Sequence, residues 1–214
     1  MTRKLYLAEG ALVGTTVVSA LVPGERPAVQ LRETWFHPQG GGQRGDRGWI
    51  GGGRVVDTRH GADGEVDHFL ESLGALTVGA TVTIQVDAEH RDRSARLHSA
   101  GHLIADAVHA VRPALRAMAG HHWDGEARVE FEGLSAIDAH LQAEVEQSIE
   151  ELILADLPIT VTGDPFASRA IRIGGFTPVG CGGTHVSSTG VLAGLRISGL
   201  KMKGHRLRVS YLCS

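Results

Sequence analysis

Two pairs of residues that commonly bind metal ions stand far apart in this chain of 214 residues. The first pair is His98 and His102, and the second pair is Cys181 and His185. A helix is predicted over residues 96–108, which would place both imidazoles of the first pair on one face, about one turn apart. Three imidazoles and one thiolate suit zinc. We therefore predict one zinc ion per chain, bound by both pairs.

Neither pair would be a strong signal alone, because short histidine and cysteine motifs often occur without a metal. The first pair also lacks the glutamate of the HExxH pattern, so a peptidase is not supported. The joint occurrence is more informative, since Cys181 is one of only two cysteines in the chain. Gly182 and Gly183 favour a tight loop that presents a thiolate and an imidazole together.

The composition is that of an ordinary globular protein, with 42% hydrophobic residues and a net charge of -3. No apolar run approaches membrane-spanning length, and the first ten residues lack signal-peptide character. Two cysteines without an export signal argue against a disulfide framework and favour a reducing, cytoplasmic location. Cys213 is interpreted as an incidental thiol.

The two halves of the chain differ in their residue patterns, and together they predict an α+β fold. Residues 1–88 are predicted to form a small β-barrel-like domain, because short strands alternate with glycine-rich turns. Residues 89–214 are predicted to form an α+β domain with helices packed on a mainly antiparallel sheet. Its second helix is predicted over 137–155, closed by Pro158. The predicted strands are 15–22, 28–31, 49–50, 54–56 and 81–86 in the first half, and 127–131, 159–162, 170–173, 194–197 and 207–211 in the second.

A glycine-rich block at residues 40–45 matches the GxGxxG sequence pattern. A dinucleotide site is nevertheless rejected, because the residues that follow do not favour the required helix. Two interpretations stay open with equal weight. The block forms a turn where the backbone approaches another surface, or it brings peptide groups and the Gln43 amide towards a ligand.

Near the C-terminus, basic side chains could meet phosphates, although a solvated strand face explains them equally well. These residues are Lys201, Lys203, His205, Arg206 and Arg208.

Three segments in this order, residues 36–48, 96–103 and 181–190, resemble the editing region of alanyl-tRNA synthetase and the free-standing AlaX-type deacylases. The threonyl-tRNA synthetase editing domain shares the two metal-type pairs. The resemblance covers nearly the whole chain, which is too short to hold an aminoacylation domain as well. It therefore indicates a free-standing editing protein of the longer form that carries the glycine-rich block.

The resemblance implies a zinc-dependent trans-editing hydrolase that acts on mischarged alanine tRNA. It would hydrolyse the ester that joins a wrong amino acid, chiefly serine and sometimes glycine, to the 3′ end of that tRNA. The chain departs from the family at His37 and Gln39, close to the expected amino-acid pocket, which puts the substrate preference in doubt. The expected substrate-binding residues are Gln39, Gly41, Gly42 and Gln43, with Lys201, Lys203 and Arg206 beside the acceptor stem.

Zinc-assisted attack by water is the economical mechanism, because no GxSxG nucleophile motif occurs and Cys181 is assigned to the metal. Thr184 and the amides of Gly182 and Gly183 are candidates for stabilising the oxyanion. A catalytic zinc usually keeps one position open, so His185 is expected to be the loosely held ligand. Ser99, next to His98 on the helix, is expected to point elsewhere.

Two alternatives remain. One is a tRNA-binding module with a structural zinc ion, and the other is a deacylase for a different mischarged tRNA or ester. His121, His122, Trp123 and Asp124 fall near the expected pocket but are interpreted as surface-loop residues.

Overall fold

The structure is a computed structural model that describes residues 1–134 and 136–214. The described residues form fifteen strands and two α-helices. The strands are β1 (Arg3–Lys4), β2 (Val13–Val22), β3 (Ala28–Leu31), β4 (Glu33–Thr34), β5 (Gly48–Ile50), β6 (Gly53–His60), β7 (Val66–Leu70), β8 (Thr81–Val86), β9 (Arg116–His121), β10 (Arg128–Glu132), β11 (Ile159–Thr162), β12 (Ala170–Ile173), β13 (Val179–Gly180), β14 (Arg196–Lys203) and β15 (Arg206–Leu212). The helices are α1 (Ala88–Val111) and α2 (Leu141–Leu154).

The first half of the chain folds into a closed six-stranded barrel with the strand order β2-β3-β7-β6-β5-β8. Inward and outward side chains alternate along its strands, so that Val82, Ile84 and Val86 of β8 are buried while their neighbours are exposed. The β5–β6 hairpin turns at Gly51 and Gly52, whose φ angles of 55° and 85° suit a two-residue turn. The predicted barrel is confirmed.

In the second half, α1 and α2 pack on an antiparallel sheet with the order β14-β15-β10-β9. A smaller antiparallel sheet, β11-β12-β13, carries the segment that leads to Cys181. Buried side chains from both helices and the larger sheet form one core, with Leu103, Ile149 and Phe131 among its members. The predicted α+β class with a mainly antiparallel sheet is confirmed.

Several predicted boundaries were wrong. Helix α1 begins at Ala88, eight residues before the predicted start, because Asp87 caps it by accepting a hydrogen bond from the His90 amide. Helix α2 begins only at Leu141. The strand predicted over 194–197 begins at Arg196, after a 3-10 turn over Thr189–Leu192. Strands β7 and β9 were not predicted, and the sequence of β9 contains no β-branched residue.

The barrel is tied to α1 by a buried ion pair. Arg91 of α1 binds Asp46, which follows the glycine-rich block, and also donates to the Trp35 carbonyl oxygen at 2.6 Å. Beside it, His90 Nε2 lies 3.0 Å from the Gly45 carbonyl oxygen. The glycine-rich block is therefore anchored to the helix that carries His98 and His102. Residue 88, the predicted domain boundary, is the first residue of α1.

Among the described residues, neither helix is long and apolar enough to cross a membrane.

Candidate metal centre

The structure brings the four predicted metal ligands together. His98 and His102 project from α1, while Cys181 and His185 lie on the loop after β13, and their ligand atoms all lie within 4.8 Å of one another. Cys181 Sγ is 3.5 Å from His98 Nε2 and 3.3 Å from His185 Nε2. Sulfur and nitrogen ligands of one tetrahedral zinc ion would be separated by about 3.6 Å, from the usual bond lengths. The donor set and its spacing therefore fit a metal ion.

The orientation of the His98 ring is set by Gln43, which comes from the glycine-rich block of the barrel. The Gln43 side chain is fully buried, and its Oε1 lies 2.8 Å from His98 Nδ1. Because an amide oxygen can only accept, His98 must carry its proton on Nδ1, which leaves the Nε2 lone pair for a metal. The same oxygen accepts from the Thr184 amide at 2.9 Å, and Gln43 Nε2 donates to Thr184 Oγ1 at 2.9 Å.

Ser99 contacts the His185 ring in the way that Gln43 contacts the His98 ring. The expectation that Ser99 points away from the metal site was wrong. Its hydroxyl oxygen lies 3.2 Å from His185 Nδ1 and accepts the Val186 amide at 3.1 Å. Residues 181–186, which we call the ligand loop, pack across α1. Ser99, the neighbour of His98 on the helix, therefore contacts His185. In the described part of the chain no comparable hydrogen bond orients the His102 ring. His185, which the sequence singled out as the loosely held ligand, is therefore the better oriented of these two rings.

Burial keeps these histidines neutral, as metal ligands must be. Burial lowers the pKa of His98 and His185 well below the usual value, and that of His102 to about 4. The pKa of the Cys181 thiol is raised by burial, against the opposing effects of the Gly183 amide and Arg169. Binding of a metal would therefore release the thiol proton.

The loop residues between the cysteine and the last histidine have different environments. A Cβ atom on Gly183 would lie 2.1 Å from the His98 ring, so only glycine allows this close approach, and its amide donates to Cys181 Sγ at 3.4 Å. Both the amide and the hydroxyl of Thr184 are bonded to Gln43. Gly182, by contrast, is exposed beside the cavity described next. Of the three residues predicted to stabilise the oxyanion, Gly182 is the one that lines this cavity.

A cavity of about 430 Å³ opens beside the ligands, between α1, β9 and the ligand loop. Gly41 of the glycine-rich block reaches its wall, whereas Gln39 does not. Its other lining residues include His98, His102, Cys181, Gly182, Asp106, Met118 and His122.

The glycine-rich block forms a tight turn in which Gly40 and Gln43 exchange two backbone hydrogen bonds. The central Gly41 and Gly42 have φ angles of 57° and 80°. A Cβ atom on Gly42 would lie 2.4 Å from the Gly120 carbonyl oxygen of β9, so the turn is pressed against this strand. The first interpretation of the block, close backbone packing, is confirmed, and this packing places the Gln43 amide beside His98.

His122 is a site residue that the sequence did not reveal, and its surface-loop interpretation was wrong. Its ring is 6% exposed and stacks on His98 with a centroid distance of 4.6 Å. His122 Nδ1 lies 2.6 Å from Tyr211 Oη, which donates its own proton to the Leu97 carbonyl oxygen at 2.8 Å. Burial lowers the pKa of His122 to about 3. No sequence spacing links it to the ligands, because contact across the sheet brings it there.

The predicted RNA-contacting residues lie apart from the metal ligands, on the exposed β14–β15 hairpin. Three strand spacings separate β14 from β9, roughly 14 Å. Lys201 and Lys203 are exposed, while Arg206 lies 3.4 Å from a Glu130 carboxylate oxygen.

A second basic surface lies closer to the predicted metal ligands. It is a pocket of about 360 Å³ that shares His122 with the metal cavity and is lined by Arg44, Arg47, Arg93 and Trp123, among others.

Comparison with known proteins gives a consistent set of relatives. None of the protein-family models searched matches the chain. The chain is 29% identical to an alanine–tRNA ligase of Streptomyces avermitilis over 224 aligned residues, covering 93% of the chain and 25% of that protein. The identity is 31% to that of Acidothermus cellulolyticus, covering 89% and 24%, and 32% to that of Neisseria meningitidis serogroup B, covering 81% and 22%. The chain thus spans about a quarter of the length of these relatives.

Proposed function

We propose that this chain is an aminoacyl-tRNA editing hydrolase that removes a wrong amino acid, serine or glycine, esterified to alanine tRNA. The observation that carries the proposal is the four-ligand cluster beside a cavity of about 430 Å³, in a chain that is similar to alanine–tRNA ligases over most of its length. We further propose that it acts as a free-standing protein of the AlaX type on tRNA charged elsewhere.

The proposed cofactor is one zinc ion per chain, held by His98, His102, Cys181 and His185. A mixed nitrogen and sulfur set at tetrahedral spacing supports zinc over magnesium or calcium, which prefer oxygen ligands. When bound, zinc would supply Lewis acidity that polarises the ester carbonyl and makes water a better nucleophile at neutral pH.

The residues of the chain position the reactants around this centre. Gln43 and Ser99 hold the His98 and His185 rings with Nε2 towards the centre. Gly182 lines the cavity, and we propose that its amide donates to the oxyanion that develops as water attacks the ester.

The proposal is tested by measuring release of serine from seryl-tRNA(Ala), with alanyl-tRNA(Ala) and seryl-tRNA(Thr) as comparison substrates. We expect hydrolysis of the first, loss of activity after treatment with a chelator, and recovery when zinc is added back. Turnover without metal would contradict the zinc assignment. Metal-dependent tRNA binding without hydrolysis would instead support a binding module with structural zinc, and faster hydrolysis of seryl-tRNA(Thr) would identify a different substrate.

Loss of a ligand should abolish the activity. The variants Cys181→Ala and His102→Ala each remove one donor atom, and we expect elemental analysis to find less than one zinc per chain. Single-turnover rates on seryl-tRNA(Ala) should fall to the background of spontaneous hydrolysis. A wild-type rate in the Cys181→Ala variant would rule out the proposed mechanism.

A further inference from the structure

Asp106 is an acidic residue in the metal cavity to which the proposed chemistry assigns no role. It lies on α1 four positions after His102, so the two side chains share one face of the helix about one turn apart. The cavity that adjoins the ligands is lined by both residues. Asp106 is therefore placed beside the reacting centre, on the same rigid helix.

The Asp106 carboxylate has no partner of opposite charge in the described part of the chain. It is half-buried, and the ion pairs of the structure leave it out. Burial raises its pKa to about 6. A carboxylate in such surroundings gains most from a bound cation, because neither water nor an arginine compensates its charge fully.

The other polar groups of the cavity make Asp106 distinctive. The histidines that line the cavity are neutral, and Cys181 is assigned to the metal. Asp106 is the one carboxylate among the lining residues, so it is the group there that can offer a free negative charge. An aminoacyl ester carries a positively charged α-ammonium group two bonds from the ester carbonyl. That group would be repelled by a metal cation on the carbonyl oxygen unless a negative charge lay nearby.

We propose that the Asp106 carboxylate binds the α-ammonium group of the aminoacyl ester and thereby orients the scissile carbonyl towards the metal ligands. The inference rests on the proposed function and names the substrate group that this site selects. Side chains four positions apart on a helix have Cβ atoms about 5–6 Å apart, so the Asp106 carboxylate and the His102 imidazole border one cavity.

A consequence is that the site distinguishes free aminoacyl esters from those whose amino group is blocked or absent. When an ester with a blocked or absent amino group binds, it would cover the Asp106 carboxylate without supplying an ammonium group. Burying an unpaired charge in this way costs binding free energy. Selection by Asp106 would therefore act on the α-amino group, whereas discrimination of serine from alanine would come from other groups of the site.

The test uses two stable ligands and the metal-loaded protein. The first ligand is 3′-seryl-amino-3′-deoxyadenosine, in which an amide replaces the ester, and the second is the same molecule with hydroxyl in place of the α-amino group. We expect Asp106→Asn to weaken binding of the first ligand about 10- to 100-fold in calorimetry, and that of the second less than about twofold. Asp63→Asn, in the exposed turn between β6 and β7 of the barrel, is the control and should change neither.

The outcomes separate this inference from the proposed function. Equal weakening of both ligands, or no change in either, would overturn the role of Asp106. Asp106-dependent binding by a wild-type protein that hydrolyses no aminoacyl-tRNA would support the ammonium site and contradict the hydrolase. Metal content measured for each variant shows whether the centre is intact.

Discussion

At the scale of single residues, the candidate metal centre is positioned by side chains outside the four predicted ligands. Gln43 and Ser99 each contact one ligand histidine on its outer nitrogen, and each also accepts a backbone amide of the ligand loop. One side chain therefore fixes a ring and the loop at the same time. The fully buried position of Gln43 favours a positioning role over the direct substrate contact expected from the sequence.

Replacing Gln43 by Ala should weaken zinc binding about 10- to 100-fold, because the His98 ring loses the acceptor that fixes its tautomer and orientation. Competition with a chromophoric chelator measures this affinity directly. Ser99→Ala should act in the same direction through His185. Gln39→Ala is the control in the same block, since Gln39 lies outside the metal cavity. Unchanged zinc affinity in Gln43→Ala, with a raised KM for tRNA, would restore a substrate-binding role.

At the scale of secondary-structure elements, α1 meets β9 across the His122 ring. A Cβ atom on Gly101 of α1 would lie 2.2 Å from His122 Cε1, and one on Gly120 of β9 would lie 2.3 Å from His122 Nε2. Two glycines thus accommodate one buried imidazole, and the ring fills the space between the helix and the strand. The stacking of His122 on His98 follows from this packing.

The variant Gly101→Ala should destabilise the protein although alanine favours helices. The intrinsic gain is about 1 kcal/mol, whereas forcing a methyl group into a packed core typically costs about 1–3 kcal/mol. The free energy of unfolding of the metal-free protein, measured with urea, should therefore decrease. The double variant Gly101→Ala/His122→Ala removes the clash, so the effects of the two changes should not be additive. Additive effects would mean that the ring does not meet the helix here.

At the scale of the whole molecule, charge is distributed unevenly around a chain whose net charge is -3. The β14–β15 hairpin presents Lys201 and Lys203, and the pocket beside His122 presents Arg47 and Arg93. In that pocket the Arg44 guanidinium lies 4.0 Å from the centre of the Trp123 ring. Clustered cationic side chains suit the phosphate backbone of a nucleic acid, and we propose that both surfaces contact tRNA.

Neutralising Lys201 and Lys203 should weaken tRNA binding and flatten its dependence on salt, because fewer counterions are released. Each lost phosphate contact should reduce the slope of log K against log salt concentration by about 0.7–0.9. Arg206→Gln is the comparator in the same hairpin, and it should have a smaller effect because Glu130 already balances that charge. A salt slope unaffected by the double lysine variant would indicate a solvated strand face.

The sequence by itself determined the fold class, the barrel and the four members of the His/Cys cluster. Alternation of apolar residues in strands such as 81–86 is a local property, and the types and spacing of His98, His102, Cys181 and His185 are visible in one dimension. The structure brings these four residues together. Strand β9 was missed because its residues have little intrinsic preference for strand, and pairing with β10 holds it in place.

Only the tertiary structure decided which groups surround those ligands. Gln43 reaches His98 from 55 positions away, Ser99 reaches His185 from 86, and His122 is bonded to Tyr211 89 positions further on. No periodicity links residues so far apart. Their contacts arise because the barrel turn, α1 and the sheet pack closely, so that glycines allow the approach and buried polar atoms must find partners where the packing places them.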